Sequence, residues 1–128
     1  MNKICVVLPA FNEEITIENT ILDFHKYLPD APIFIINNAS SDNTFIISEE
    51  TLKKNKIPGQ VINSNIKGKG NALKTAFSLI EADYYIVADA DLTYPARFSL
   101  EMIQIAENEN FDIDVGDRIS NGSYLKKN

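Results

Sequence analysis

A chain of 128 residues is long enough for one domain with a real core and too short for a second core to be expected. Its 45% hydrophobic and 23% charged residues suit a globular protein, and its net charge of -6 excludes a nucleic-acid groove as the main business, since backbone binding needs clustered Lys and Arg. The single cysteine, Cys5, permits no internal disulfide and sits in an apolar run, which fits packing in a reducing, cytoplasmic setting.

In chain order, strand and helix alternate. Lys3–Leu8 is an apolar run of strand length that Pro9 is expected to end. Asn12 is positioned to cap the next helix, with Glu13 and Glu14 in its first turn and Ile17, Ile21, Phe24 and Leu28 on its buried face. The lone histidine, His25, lies beside that stripe as a packing or surface residue. Ile33–Ile36 reads as the second strand. The polar cluster Asn37–Thr44 follows it and leads into a helix over Thr44–Asn55, which Ser41 or Asp42 can cap. A short strand at Gln60–Asn63, a loop over Asn65–Gly70 and a helix over Asn71–Ala82 come next. The apolar run at Tyr84–Ala88 then stops in two carboxylates, Asp89 and Asp91. Pro95 opens a helix running to about Asn108 with Phe98, Met102, Ile105 and Ala106 inward, and Asp112–Val115 offers one more strand. No stretch is long and apolar enough to span a bilayer, and the N-terminus enters a strand rather than a signal peptide.

This alternation, with strands that are continuously apolar, predicts an α/β fold: a mostly parallel sheet covered by helices on both faces. Ligands of such sheets bind outside the carboxyl ends of the strands. The polar segments at Pro9–Glu14, Asn37–Thr44, Asn65–Gly70 and Asp89–Pro95 all fall at those ends, so they should converge on one crevice. Within it, Asp89 and Asp91 can lean toward one object, because alternate residues of an extended chain share a side. Mg²⁺ or Mn²⁺ suits such a pair, with water and substrate phosphate oxygens completing the shell; a solvated turn capping the next helix is the plain alternative.

Four segments together carry a resemblance: Val7–Glu14, Ile36–Thr44, Gly68–Leu73 and the Asp89-Ala90-Asp91 triplet. In this order and spacing they resemble the donor half of a family 2 glycosyltransferase with the Rossmann-like GT-A fold. The segment Val115–Ile119 is similar to the branch that moves sugars onto polyprenyl phosphates, such as dolichol-phosphate mannose synthase. The resemblance implies an enzyme that uses a nucleotide-diphosphate sugar, either UDP- or GDP-linked, with a divalent cation. It implies contacts to base and ribose from Pro9, Ala10, Phe11, Asn12 and Glu14, and a base-reading motif that starts at Asn37 and includes Ser40. An amide at Asn37 both donates and accepts, so the base stays open between uracil and guanine. Lys69 and Gly70 fall near the diphosphate, Ala90 beside the donor, and Asp91 and Asp89 at the metal as the catalytic pair.

Departure of the diphosphate builds positive character on the sugar and negative charge on the leaving group, and family members mostly invert the anomeric carbon by direct displacement. A phosphate acceptor is already ionised and needs no strong base; Arg118 can orient it in bidentate fashion. The same implication puts residues 1–119 in a donor-binding domain cut short of its acceptor half and residues 120–128 in a polar tail. It places the chain at the inner face of the membrane, with a strand edge near Ile113 and Val115 free for self-association. Two other readings compete. One is a non-catalytic nucleotide-sugar-binding module. The other is a phosphatase of the DxDxT type, which Asp89–Thr93 also matches, although its motif belongs on a first strand.

Overall fold

The computed structural model describes residues 3–64, 68–92, 95–109 and 124–127. Strands β1 (Ile4–Ala10), β2 (Ile33–Asn37), β3 (Gly59–Asn63) and β4 (Tyr84–Val87) alternate with helices α1 (Ile17–Tyr27), α2 (Thr44–Lys54) and α3 (Lys69–Leu79). Helix α4 (Phe98–Glu109) and strand β5 (Tyr124–Lys127) complete the order. The sheet runs β3-β2-β1-β4-β5, parallel except for β5, which is antiparallel to β4.

The strand order reverses at β1, which has β2 on one side and β4 on the other. Since parallel crossovers are right-handed, this reversal sends α1 and α2 to one face of the sheet and α3 to the other. The core follows suit. Val6, Leu8, Ile33, Ile35 and Ile86 pack with Ile17, Ile21 and Phe24 of α1, Leu52 of α2, and Met102 and Ile103 of α4. On the opposite face Cys5, Val7, Ile36, Tyr85 and Val87 meet Ala72 and Ala76 of α3. Phe77 stands edge-on to Tyr85 with ring centroids 5.0 Å apart. Both faces of the central strands are thus buried, which is why those strands read as unbroken apolar runs. Burial also raises the Cys5 thiol to about 12, with Lys3 opposing slightly, so it is a packing residue.

Several expected boundaries shift. Pro9 lies inside β1, paired with Ile36, rather than ending the strand. The backbone groups of Val7 face β4, and by the period of two those of Pro9 do as well; β4 pairing has ended at Val87, so no ladder donor is lost there. Helix α1 starts at Ile17, not after Asn12: a turn held by Thr16 N–H and Ile17 N–H donating to Glu13 O intervenes. Helix α3 starts at Lys69 and ends at Leu79, two residues earlier at its start than the apolar pattern suggested. In α4, Ile103 is buried whereas Phe98 is 43% exposed. The residues expected as a polar tail include β5, which makes Tyr124–Lys127 an edge strand of the sheet. The strand expected at Asp112–Val115 lies outside the described residues.

At the other edge, Gly59 has φ +137°, and a Cβ there would sit 1.9 Å from Ile33 O. Only glycine allows the chain to enter β3 beside β2.

Candidate functional site

Parallel strands end together, so the loops after β1, β2 and β4 meet above the reversal point of the sheet. The first two are laced to each other. Asn12 takes a left-handed conformation (φ 53°), a role open to Asn, and its Oδ1 accepts from Ser41 N–H at 2.8 Å while its own N–H donates to Ser40 Oγ at 3.0 Å. Glu13 N–H donates to Thr44 Oγ1, Glu14 N–H to Asp42 Oδ2, and Asn43 N–H to Glu14 Oε2. Asp42 also accepts from the N–H of Thr44, the first residue of α2, while the N-cap position itself falls to Asn43, which makes no side-chain cap bond. Slight burial pushes the Asp42 carboxyl up, but the bonds from Thr44 and Glu14 outweigh it and hold the group below the usual carboxylate range.

After β2 the backbone stays tied to its neighbours: Asn38 N–H donates to Ala10 O at 2.8 Å and Ser64 N–H to Asn37 O at 2.9 Å. The two amides are 7% and 6% exposed. Asn37 Nδ2 donates to Asn63 Oδ1 at 2.9 Å, whereas the Oδ1 atoms of both Asn37 and Asn38 are buried with no hydrogen-bond partner among the described residues. Orphaned acceptors at the mouth of a sheet are a mark of ligand sites, because a buried polar atom otherwise finds a partner.

The acidic loop is a turn, not an extended chain. Val87 ends β4, Ala90 and Asp91 turn, and Leu92 closes the turn at φ 67°, an unusual conformation for a γ-branched residue. Ala90 is anchored twice: its methyl is buried with Ala88 and Ala96, and its carbonyl accepts from Thr16 Oγ1 at 2.6 Å. Thr20 Oγ1 lies 3.3 Å from the same carbonyl but is closer, 2.9 Å, to Thr16 O.

These loops enclose a cleft of about 450 Å³, lined by Pro9, Ala10, Phe11 and Glu13 from the β1 side, Asn38 from β2, Gly68 at the head of α3, and Asp89, Ala90 and Asp91 from the β4 side. The charged residues described in its lining, Glu13, Asp89 and Asp91, are all acidic. Burial raises the Glu13 carboxyl, a hydrogen bond from Thr16 opposes this, and the negative fields of Asp91, Asp89 and Asp42 raise it further. Three carboxylates thus bear on one space. Among the described residues no group of three or more His, Cys, Asp and Glu forms a ready metal cage. Asp89 and Asp91 fit instead the mode in which Mg²⁺ or Mn²⁺ takes one or two carboxylates and draws its other oxygens from a ligand.

Of the residues expected at the site, Pro9, Ala10, Phe11, Asp89, Ala90 and Asp91 line the cleft. Asn12, Glu14 and Ser40 lie behind it, in the bonds between the first two loops. Asn37 backs onto Asn63, and it is Asn38 that borders the cleft. Lys69 and Gly70 stand in the first turn of α3 rather than in a loop, and Gly68, with φ +120°, borders the cleft. Arg118 lies outside the described residues. Sequence reasoning missed Glu13, Asn38 and Gly68. Each adjoins a residue that was chosen, and only the pitch of the chain at the loop decides which neighbour faces inward.

An open α/β sheet with a crevice at its reversal point defines the class of doubly wound folds, which bind their ligands outside the carboxyl ends of the strands. Within that class the chain belongs to glycosyl transferase family 2, whose sequence profile matches residues 5–127. It is 36% identical over 121 residues to the protein RfbJ of Shigella flexneri, covering 94% of this chain and 88% of RfbJ. It is 30% identical to the undecaprenyl-phosphate 4-deoxy-4-formamido-L-arabinose transferase of Proteus mirabilis, covering 99% of this chain but 40% of that protein. In fold it resembles the mannosyltransferase PcManGT of Pyrobaculum calidifontis, solved with GDP-Man and Mn²⁺, at a TM-score of 0.78 and 19% identity over 88% of this chain and 34% of that one. The expected GT-A architecture is therefore present, while the chain spans less than half the length of the last two proteins. Family membership also displaces the phosphatase reading, whose motif would have to lie on β1 rather than after β4.

Proposed function

We propose that the cleft holds the diphosphate of a UDP- or GDP-sugar with a divalent cation, Mg²⁺ or Mn²⁺, and that the chain serves transfer of the sugar, with inversion, to a polyprenyl phosphate or glycan. The observation that carries this reading is that three carboxylates, Glu13, Asp89 and Asp91, border one cleft at the reversal point of the sheet. A diphosphate would be repelled there unless a cation came with it, and Asp91 and Asp89 are the residues to hold one. When bound, such an ion neutralises charge on the departing nucleotide.

The chain's own residues then have separable tasks. Phe11, 45% exposed at the mouth, offers a ring against which a base can lie. The orphaned Asn38 Oδ1 accepts an N–H from the base edge. Gly68 lets phosphate oxygens approach the first amides of α3, since it has no Cβ to stand between them. Glu13 keeps a second anion from settling in the cleft. An acceptor phosphate brings its own charge, so no general base is required of this chain; Arg118 remains the candidate to orient it.

The Proteus relative, named for an undecaprenyl-phosphate product or acceptor, supports a lipid phosphate. We place the chain on the cytoplasmic side, meeting a lipid phosphate of that kind at the inner face of the membrane; no helix among the described residues is long and apolar enough to cross a membrane. The test is thermal stabilisation by UDP-sugars and GDP-sugars with and without Mn²⁺, followed by transfer of labelled sugar to a polyprenyl phosphate. Saturating donor should add about 2.7 kcal/mol at a hundredfold excess over Kd. Stabilisation that is indifferent to Mn²⁺ sinks the metal reading; metal-dependent binding without transfer favours a binding module.

A further inference from the structure

We infer that Thr16 is a positioning residue for the acidic pair. Thr16 is the N-cap residue of α1, yet its side chain makes no capping bond to the helix. A threonine there usually spends its hydroxyl on the exposed amides of the first turn. Here the hydroxyl turns away from the helix to Ala90 O, a residue 74 positions along the chain, at 2.6 Å. Its other neighbour is Glu13 Oε2, at 3.1 Å. With one proton shared between the two acceptors, the shorter contact, to Ala90 O, is the stronger. Thr20 is a second but weaker partner of that carbonyl, since its hydroxyl lies 3.3 Å from Ala90 O and closer, 2.9 Å, to Thr16 O.

Ala90 is the link between Asp89 and Asp91. With its methyl packed in the core and its carbonyl held by Thr16, the peptide between the two acids cannot rotate without breaking a contact. The direction of both carboxylates therefore depends on a helix that contributes neither of them. Outer partners of this sort commonly change metal affinity when removed, although they never touch the ion. The inference rests on the cation reading proposed above and adds to it the residue that holds the two ligands in register.

The test uses the 128-residue chain with Thr16→Val, which keeps the shape and deletes the hydroxyl, and Thr16→Ser, which restores it. Thr51→Val serves as a control, since that hydroxyl bonds Ile47 O within α2, away from the cleft. Mn²⁺ binding is followed by electron paramagnetic resonance, for the ion alone and with UDP or GDP, and each variant is melted. The expected result is a loss of Mn²⁺ affinity of about tenfold or more in Thr16→Val, the range typical of outer-shell partners. Thr16→Ser should bind close to wild type and Thr51→Val should be indifferent. If Thr16→Val fails to fold, Thr16→Ala, which adds no bulk, is read in the same way. Wild-type affinity in a folded variant lacking the hydroxyl overturns the inference, as does a lowered melting temperature with affinity unchanged. Failure of the wild-type chain to bind Mn²⁺ under any of these conditions overturns the cation reading and the inference with it.

Discussion

Asp91 is exposed and contributes little to the core, so Asp91→Asn should leave the fold intact and abolish metal-dependent nucleotide affinity. Calorimetric titration with and without Mn²⁺, beside a melting curve, checks both halves of that expectation. The neighbouring amides should behave differently from each other. Asn38→Asp turns an acceptor at the cleft into a charged one and should change the preference between uridine and guanosine nucleotides, read as the ratio of their Kd values. Asn37→Asp instead sets a carboxylate against Asn63 Oδ1 in a buried position and should cost about 1–3 kcal/mol of stability in urea unfolding. Glu13 and Asp42 give opposite pH dependences. The Glu13 carboxyl is raised in the fold, so its contribution is present below the ordinary glutamate value and lost as pH rises through the folded one. The Asp42 carboxyl is lowered, so its contribution is present above the ordinary aspartate value and lost as pH falls through the folded one. Stability measured against pH in Glu13→Gln and Asp42→Asn should flatten on the corresponding side; the same profile in both variants would contradict these assignments.

Among the elements, the entry to β3 is the most demanding. Any side chain at Gly59 meets Ile33 O and must also adopt a positive φ. Gly59→Ala should therefore destabilise by more than about 1 kcal/mol, the least expected where alanine replaces a glycine of incompatible conformation. Loss of the β2–β3 register should accompany it, and an unfolding midpoint equal to wild type would show that the edge can shift without cost. The loops after β1 and β2 act as one unit for a related reason. Asn12, Glu14, Ser40 and Asp42 exchange hydrogen bonds across them, so their polar character, which at the level of composition suggests ligand contacts, is spent largely on shaping the rim.

Across the whole molecule, protection should follow depth in the sheet. β1 and β4 are covered on both faces and paired on both edges, whereas β3 is an edge strand with Gly59, Gln60 and Asn63 exposed. Hydrogen exchange should be slowest at Val6–Leu8 and Ile86–Val87 and faster at Gln60–Asn63. Equal protection at β3 would mean that its edge is covered by another copy of the chain, the self-association expected of an open sheet edge.

The alternation of apolar runs with amphipathic stretches was sufficient, by itself, to determine an α/β sheet and the loops that border its cleft, because strand and helix periods are local properties of the chain. It was also sufficient to bring out Asp89 and Asp91, since two carboxylates closing an apolar run are visible without any contact. It could not determine that Pro9 sits within β1, because that depends on where β4 stops alongside it. Nor could it distinguish Asn38 from Asn37 or Glu13 from Glu14, where one residue of chain rotation exchanges the cleft for the rim. Tyr124–Lys127 carries too little apolar pattern to be read as a strand, and its pairing depends on the exposed edge of β4. The role of Thr16 belongs wholly to the tertiary structure: its hydroxyl serves a carbonyl 74 residues away, and no local pattern records a hydrogen bond of that span.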